Sequence, residues 1–202
     1  METSNKVYLY GASGHAKVVM DIVRLMGYEV PCLIDDNNSV VELAGKPVVH
    51  SAEGLSPIIV TIGNCNIRRK IVEKLGDCSF LTAVHPNSIM ADSVQLGEGT
   101  VVMAGAILNP YATVGKHCII NTGASLDHDV SLGDFVHIAP HSTLCGEVRV
   151  GDDTWIGAGS TVIQGVSIGK NCFIGAGSVV IKDIPDNSLC YGSPAKIIRT
   201  IE

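Results

Sequence analysis

From Leu96 to Val180 an aliphatic side chain recurs every six residues: Leu96, Val102, Leu108, Val114, Ile120, Leu126, Leu132, Ile138, Leu144, Val150, Ile156, Val162, Ile168, Ile174 and Val180. Four positions after each stands a small or β-branched residue, among them Ala106, Cys118, Ala124, Ser142 and Ser178, so every repeat sends two side chains toward a narrow interior. Two glycine ladders of period eighteen lie over this pattern. Gly97, Gly115, Gly133, Gly151 and Gly169 form one; Gly105, Gly123, Gly159 and Gly177 form the other, interrupted at His141. Three hexads therefore make one coil, which predicts a triangular parallel β-helix with glycines at corners of positive φ. At about 4.8 Å per coil the prism stands roughly 24 Å tall. An ordinary β-sandwich does not hold a six-residue phase over so many repeats.

The N-terminal part follows other periods. A strand over 6–10 runs into the glycine loop GASGH at 11–15, and apolar residues at helical spacing fill 16–26 before Gly27. A second strand over 29–34 ends in Asp35 and Asp36. A third, over 58–62, runs into Gly63 and Asn64 and then an amphipathic helix carrying Arg68, Arg69 and Leu75; the segment 78–84 reads as a last strand. Strand, glycine loop, helix, strand with a terminal acid is the opening of a Rossmann-like unit. The expected organisation is an α/β domain over 1–84 and an all-β parallel β-helix over 85–202. The hexad phase breaks at Ile184 and Pro185, and the tail at 191–199 resembles the closing segment of hexapeptide acyltransferases, which implies a C-terminal cap over the otherwise unpaired last coil.

Composition narrows the function. The net charge of −6 leaves no basic face for nucleic acid. The seven cysteines are scattered without a CxxC pair, and Cys118 and Cys172 fall at inward repeat positions, so they are expected as reduced core thiols in a reducing compartment. The absence of a charged leader or a long apolar run leads us to expect a soluble cytoplasmic protein with no membrane partner.

Two regions carry candidate chemistry. Gly11, Ser13, Gly14 and His15 open a helix, where free amides and close backbone approach suit a phosphate. The GxGxxG fingerprint is absent because Ser13 holds the second glycine position, which favours a smaller nucleotide over NAD. Asp35 and Asp36 are placed to accept hydrogen bonds from a ribose hydroxyl or base. Gly63, Asn64 and Arg68 sit at the next strand-to-helix switch and can complete the pocket, Arg68 alternatively being a surface charge. In the prism, His128 occupies an outward corner between Asp127 and Asp129, and a carboxylate on an imidazole N–H fixes its tautomer and raises its basicity. His137 follows half a coil later. A metal held by His128, Asp129 and His137 is the competing reading, although half a coil between histidines is not the short-loop spacing of a closed zinc site.

The hexads resemble those of the hexapeptide-repeat acyltransferases, whose β-helix is left-handed. Taken together, the GASGH loop, Asp35 and Asp36, Ile62-Gly63-Asn64 with Arg68, and the stretch NTGASLDHD at 121–129 resemble the PglD-type sugar N-acetyltransferases of bacterial glycan synthesis, relatives of the NeuD sialic acid O-acetyltransferases. The resemblance implies acetyl transfer from acetyl-CoA, without a metal, to the amino group of a nucleotide-activated amino sugar. His128 is then the general base and Asp129, where some members carry Glu, its tuning acid. It also implies that His137 contacts the thioester region and that the protein is a homotrimer with active sites between chains. Pantetheine is expected along the corners at Gly157, Ala158, Gly175 and Ala176. An O-acetyltransferase and a catalytically idle nucleotide-sugar-binding subunit are the alternatives.

Overall fold

The computed structural model describes residues 5–201. In the N-terminal part, β1 (Tyr8–Tyr10), β2 (Leu33–Ile34), β3 (Glu42–Leu43), β4 (Lys46–Val49) and β5 (Ile58–Val60) form one sheet in the order β3-β4-β2-β1-β5. β1 pairs in parallel with both β2 and β5, and β2 with β4. The β3–β4 hairpin, closed by Ala44 and Gly45 at positive φ, has no counterpart in the sequence reading. The helices α1 (Gly14–Leu25) and α2 (Cys65–Leu75) complete the α/β unit. α1 buries Ala16, Val19, Ile22 and Val23 on one face, as its 3.6-residue pattern requires.

The segment 78–84, expected as a last strand of this domain, divides instead. Phe80 makes a single bridge to Ile58, whereas β6 (Ala83–Val84) pairs with Val101–Val102 and opens the solenoid. The hexad phase thus begins at Val84 and passes through Met90 before Leu96, on an end coil where Ile89 and Met90 are exposed.

The solenoid is a triangular prism of two-residue parallel strands stacked every eighteen residues. Its docking face stacks Val84, Val102, Ile120, Ile138, Ile156 and Ile174; the second stacks Met90, Leu108, Leu126, Leu144, Val162 and Val180; the third stacks Leu96, Val114, Leu132, Val150 and Ile168. From Val102 to Val180 the stacked aliphatic side chains are almost fully buried, and each contributes roughly 1.5–3 kcal/mol of hydrophobic stabilisation. The cap is an antiparallel hairpin, Ser188–Gly192 with Ala195–Thr200, whose first strand continues the docking face by pairing with Phe173–Ile174.

The glycine ladders have two different causes. Gly105, Gly123, Gly159 and Gly177 have φ between 64° and 69°, as expected, and His141 takes the same conformation at φ 56°. Gly97, Gly115 and Gly151 instead lie where a Cβ would overlap the backbone of the next coil. Close approach of coils, not positive φ, demands glycine there.

The N-terminal unit sits on the docking face. Val101, Met103 and Ile119 point outward from that face into a core shared with Val7, Ala16, Val19 and Ala83. The unit and the prism are thus joined by apolar burial as well as by the covalent link.

Candidate active site

His128 stands at the corner between the second and third faces. Its Nδ1 lies 2.8 Å from Asp129 Oδ2, so the shorter aspartate does reach the ring. Both side chains are more than half exposed. The hydrogen bond that His128 donates to Asp129, and beyond it the charges of Asp127 and Glu147, raise the His128 pKa above the ordinary histidine value. Asp127 serves the backbone rather than the ring: its Oδ1 accepts the His128 N–H at 2.8 Å and Asn109 Nδ2 at 2.9 Å. Asp129 holds φ 60°, which turns its carboxylate back to the imidazole. One coil on, Gly146 lies directly under the ring, and a Cβ there would approach His128 Nε2 to 2.6 Å. Asn109 and Gly146, not foreseen from the sequence, share the eighteen-residue spacing with Asp127 and His128 that could have revealed them.

His137 does not face His128. It belongs to the docking face, is 4% exposed, and donates its Nδ1–H to the Gly63 carbonyl at 3.0 Å. Asn121 lies 3.1 Å from its Nε2. Burial, then the charge of Arg68, pushes its pKa down to about 3 against the upward pull of the Gly63 carbonyl. Within one chain both ring nitrogens are engaged, and His137 lies on a different face from His128 and Asp129, so a metal triad of the three is not assembled. Among the described residues no group of three His, Cys, Asp or Glu side chains is arranged to hold a metal ion.

The glycine loop is built as expected. Gly11 has φ 110°, and a Cβ there would meet Ile62 Cδ1 at 2.5 Å. Asp35 orders the loop from below: its Oδ2 accepts the Ala12 N–H at 2.7 Å and its Oδ1 the Asn37 N–H at 2.9 Å. Asp36 Oδ1 takes Tyr10 OH at 2.7 Å and Lys74 Nζ at 2.9 Å, which hold its pKa below the usual carboxylate value. Asp36 borders a cavity of about 320 Å³ with Tyr10, His50, Ser51, Glu53 and Lys74. Ser13 precedes α1 without a side-chain capping bond, and His15 has its Nε2 buried with no partner; burial, then Arg68, lowers the His15 pKa to about 4. Asn64 caps α2 through Ile67 N–H at 2.9 Å.

Arg68 is neither a surface charge nor a wall of the pocket. It is 1% exposed, and its guanidinium donates to the carbonyls of His117, Ile62, Gly63 and Phe135 at 2.7–2.9 Å. Gly157 and Gly175 are also explained within the chain. Their amides donate to Ile174 and Cys190, and a Cβ on either would strike the next coil or Tyr191. Ala158 and Ala176 remain exposed, at the corner between the docking and second faces, a different corner from that of His128.

Comparison with known proteins gives these features a context. Residues 6–75 match the PglD N-terminal domain family and residues 147–182 the bacterial transferase hexapeptide family, described as six repeats. The chain is 40% identical to perosamine N-acetyltransferase from Caulobacter crescentus, solved as a histidine-to-asparagine mutant with CoA and GDP-perosamine, with a TM-score of 0.92 over 96% of this chain and 97% of that one. The chain belongs to the hexapeptide-repeat sugar N-acetyltransferases. Within that family, the acetyltransferase domain of PglB from Neisseria gonorrhoeae, solved with acetyl coenzyme A, is 34% identical with a TM-score of 0.91, covering 96% of this chain and all of that one. The UDP-N-acetylbacillosamine N-acetyltransferase of Bacillus subtilis is 38% identical over 110 residues. That match covers 48% of this chain and about half, 51%, of the relative's length. The prism winds as the left-handed β-helix of these enzymes.

Proposed function

We propose that the protein transfers the acetyl group of acetyl-CoA to the amino group of a nucleotide-activated amino sugar. The observation that carries this reading is the exposed His128–Asp129 pair, 2.8 Å apart, set above a glycine that leaves the far side of the ring clear. With Nδ1 donating to Asp129, Nε2 is the proton acceptor. As the amine attacks the thioester carbonyl, the C–N bond forms and Nε2 takes the proton lost by nitrogen. Collapse of the tetrahedral adduct breaks the C–S bond, and the proton returns to the coenzyme A sulfur. Base assistance of this kind contributes roughly 10²–10⁴-fold, and the alignment of two bound substrates supplies the remainder. No acyl-enzyme is required. Burial raises the thiol pKa of Cys65, Cys118 and Cys172, which makes these cysteines poor nucleophiles.

The GASGH loop and the cavity beside Asp36 are the reading for the nucleotide. The first amides of α1 receive the pyrophosphate, and Asp36, Lys74 and Tyr10 border the place of the ribose or base. The names of the Caulobacter crescentus and Bacillus subtilis relatives carry GDP- and UDP-linked sugars, which supports the substrate class. The division of labour supports a homotrimer. His128 lies on one corner and the exposed Ala158 and Ala176 on another, so a second prism is needed to bring the base and the coenzyme A contacts together. Seven unpaired cysteines support the cytoplasm as the site of action, and no described helix is long and apolar enough to cross a membrane. The test is release of coenzyme A thiol from acetyl-CoA with GDP-, UDP- and dTDP-linked amino sugars, against their hydroxyl counterparts and free sialic acid. Turnover confined to amino acceptors supports N-transfer; turnover confined to hydroxyl acceptors overturns it in favour of O-transfer.

A further inference from the structure

Two consecutive arginines on α2 meet the prism in different ways. Arg69 makes a partly exposed ion pair, its Nε 2.8 and 3.0 Å from the Asp153 carboxylate, and lies over the Phe135 ring. Arg68 is buried with carbonyls for partners rather than a carboxylate. A buried cation without a counter-ion is costly, and a clamp between domains does not need one, because Arg69 already provides it. What Arg68 does that Arg69 does not is join three pieces of backbone through one rigid plane. Nη1 binds the Ile62 carbonyl at 2.7 Å and the Gly63 carbonyl at 2.9 Å; Nε binds His117 O at 2.8 Å; Nη2 binds Phe135 O at 2.7 Å. The loop after β5 is thereby tied to two successive coils.

The Gly63 carbonyl has a second donor, His137 Nδ1–H. The far ring nitrogen settles the tautomer. Asn121 Oδ1 accepts the Thr122 N–H at 2.8 Å, so its Nδ2 is the atom that donates to His137 Nε2 at 3.1 Å. We infer that Arg68 is a positioning residue, which fixes the Gly63 carbonyl as the acceptor for His137 Nδ1–H and so sets both the nucleotide-sugar loop and the His137 tautomer against the prism. This rests on the reading that Gly63 and Asn64 border the nucleotide-sugar site. The charge of Arg68 acts in the same sense, adding to burial in holding both His15 and His137 below the usual histidine range.

The experiment compares Arg68→Lys and Arg68→Met with Asp153→Asn, which removes the Arg69 clamp alone. Ring ¹⁵N shifts of His137 at pH 7, melting temperature, and separate KM values for acetyl-CoA and the nucleotide sugar are measured on the whole protein. The wild type should show the Nδ1–H tautomer. Arg68→Met should raise the nucleotide-sugar KM at least tenfold with the acetyl-CoA KM within about twofold, Arg68→Lys should recover part of the loss, and Asp153→Asn should lower the melting temperature without moving either KM. An Nε2–H tautomer in the wild type overturns the inference even if Arg68→Met fails to fold. Equal kinetic effects of Arg68→Met and Asp153→Asn at equal loss of melting temperature overturn it as well. If the wild type turns over no amino sugar, the functional reading fails, while the His137 tautomer decides the role of Arg68: loss of the Nδ1–H form in a folded Arg68→Met supports it, and an unchanged tautomer overturns it.

Discussion

At the scale of single residues, the proposed mechanism rests on what surrounds one imidazole, that of His128 as the base. Asp129 stabilises the protonated form of His128, so its pKa lies above the usual value, and the base is active only when unprotonated. kcat/KM should therefore fall as the pH drops through that raised pKa. Asp129→Asn should shift this acidic limb to lower pH while reducing the plateau, as a pH–rate profile will show. An unmoved limb would mean that another group titrates. Gly146→Ala tests the space beneath the ring. Its Cβ would come within 2.6 Å of His128 Nε2, and because the ring is exposed it can swing away. Activity should fall at least tenfold while the melting temperature changes by only a few degrees. The sequence made the outward corner of His128 and Asp129 legible, since the hexad phase places both outside the prism. It misassigned Arg68 because nothing in an amphipathic pattern tells which of two neighbouring arginines turns inward. It separated His128 from His137 by half a coil yet could not place the domain that covers His137.

At the scale of elements, the six-residue phase predicted every strand pair from Leu96 to Val180, because a two-residue strand with an inward aliphatic side chain leaves little choice of register. The strands before it were less legible. Val84 and Met90 keep the phase, but β6 sits next to the N-terminal unit in sequence and was counted with it. The two glycine ladders look alike in sequence and are two kinds of position. Gly159→Ala places a Cβ in open space at φ 66° and should cost about 1 kcal/mol of backbone strain. Gly115→Ala drives a Cβ into the backbone of Gly133 and should cost more, at least the 1–3 kcal/mol typical of overpacking. Chemical denaturation of the two variants measures the difference, and equal costs would refute the distinction.

At the scale of the whole molecule, the division at residue 84 is a boundary of pattern rather than of stability. Val101, Met103 and Ile119 share a core with Val7, Ala16 and Val19, and Arg68 and Arg69 bond to the prism from α2. Removal of residues 1–84 should therefore leave a prism with a bared apolar face and a missing first strand. It should aggregate or melt well below the full chain, and the full chain should unfold in one calorimetric transition. A truncated prism as stable as the whole would show the two parts to be independent. The central claim is the direct transfer of acetyl to an amino sugar by His128. Its sharpest test is the steady-state rate of thiol release for His128→Ala beside the wild type, with acetyl-CoA and the amino-sugar nucleotide that the wild type prefers. The account predicts a fall in kcat of at least a hundredfold with both KM values within about threefold; a variant that keeps the wild-type kcat contradicts it.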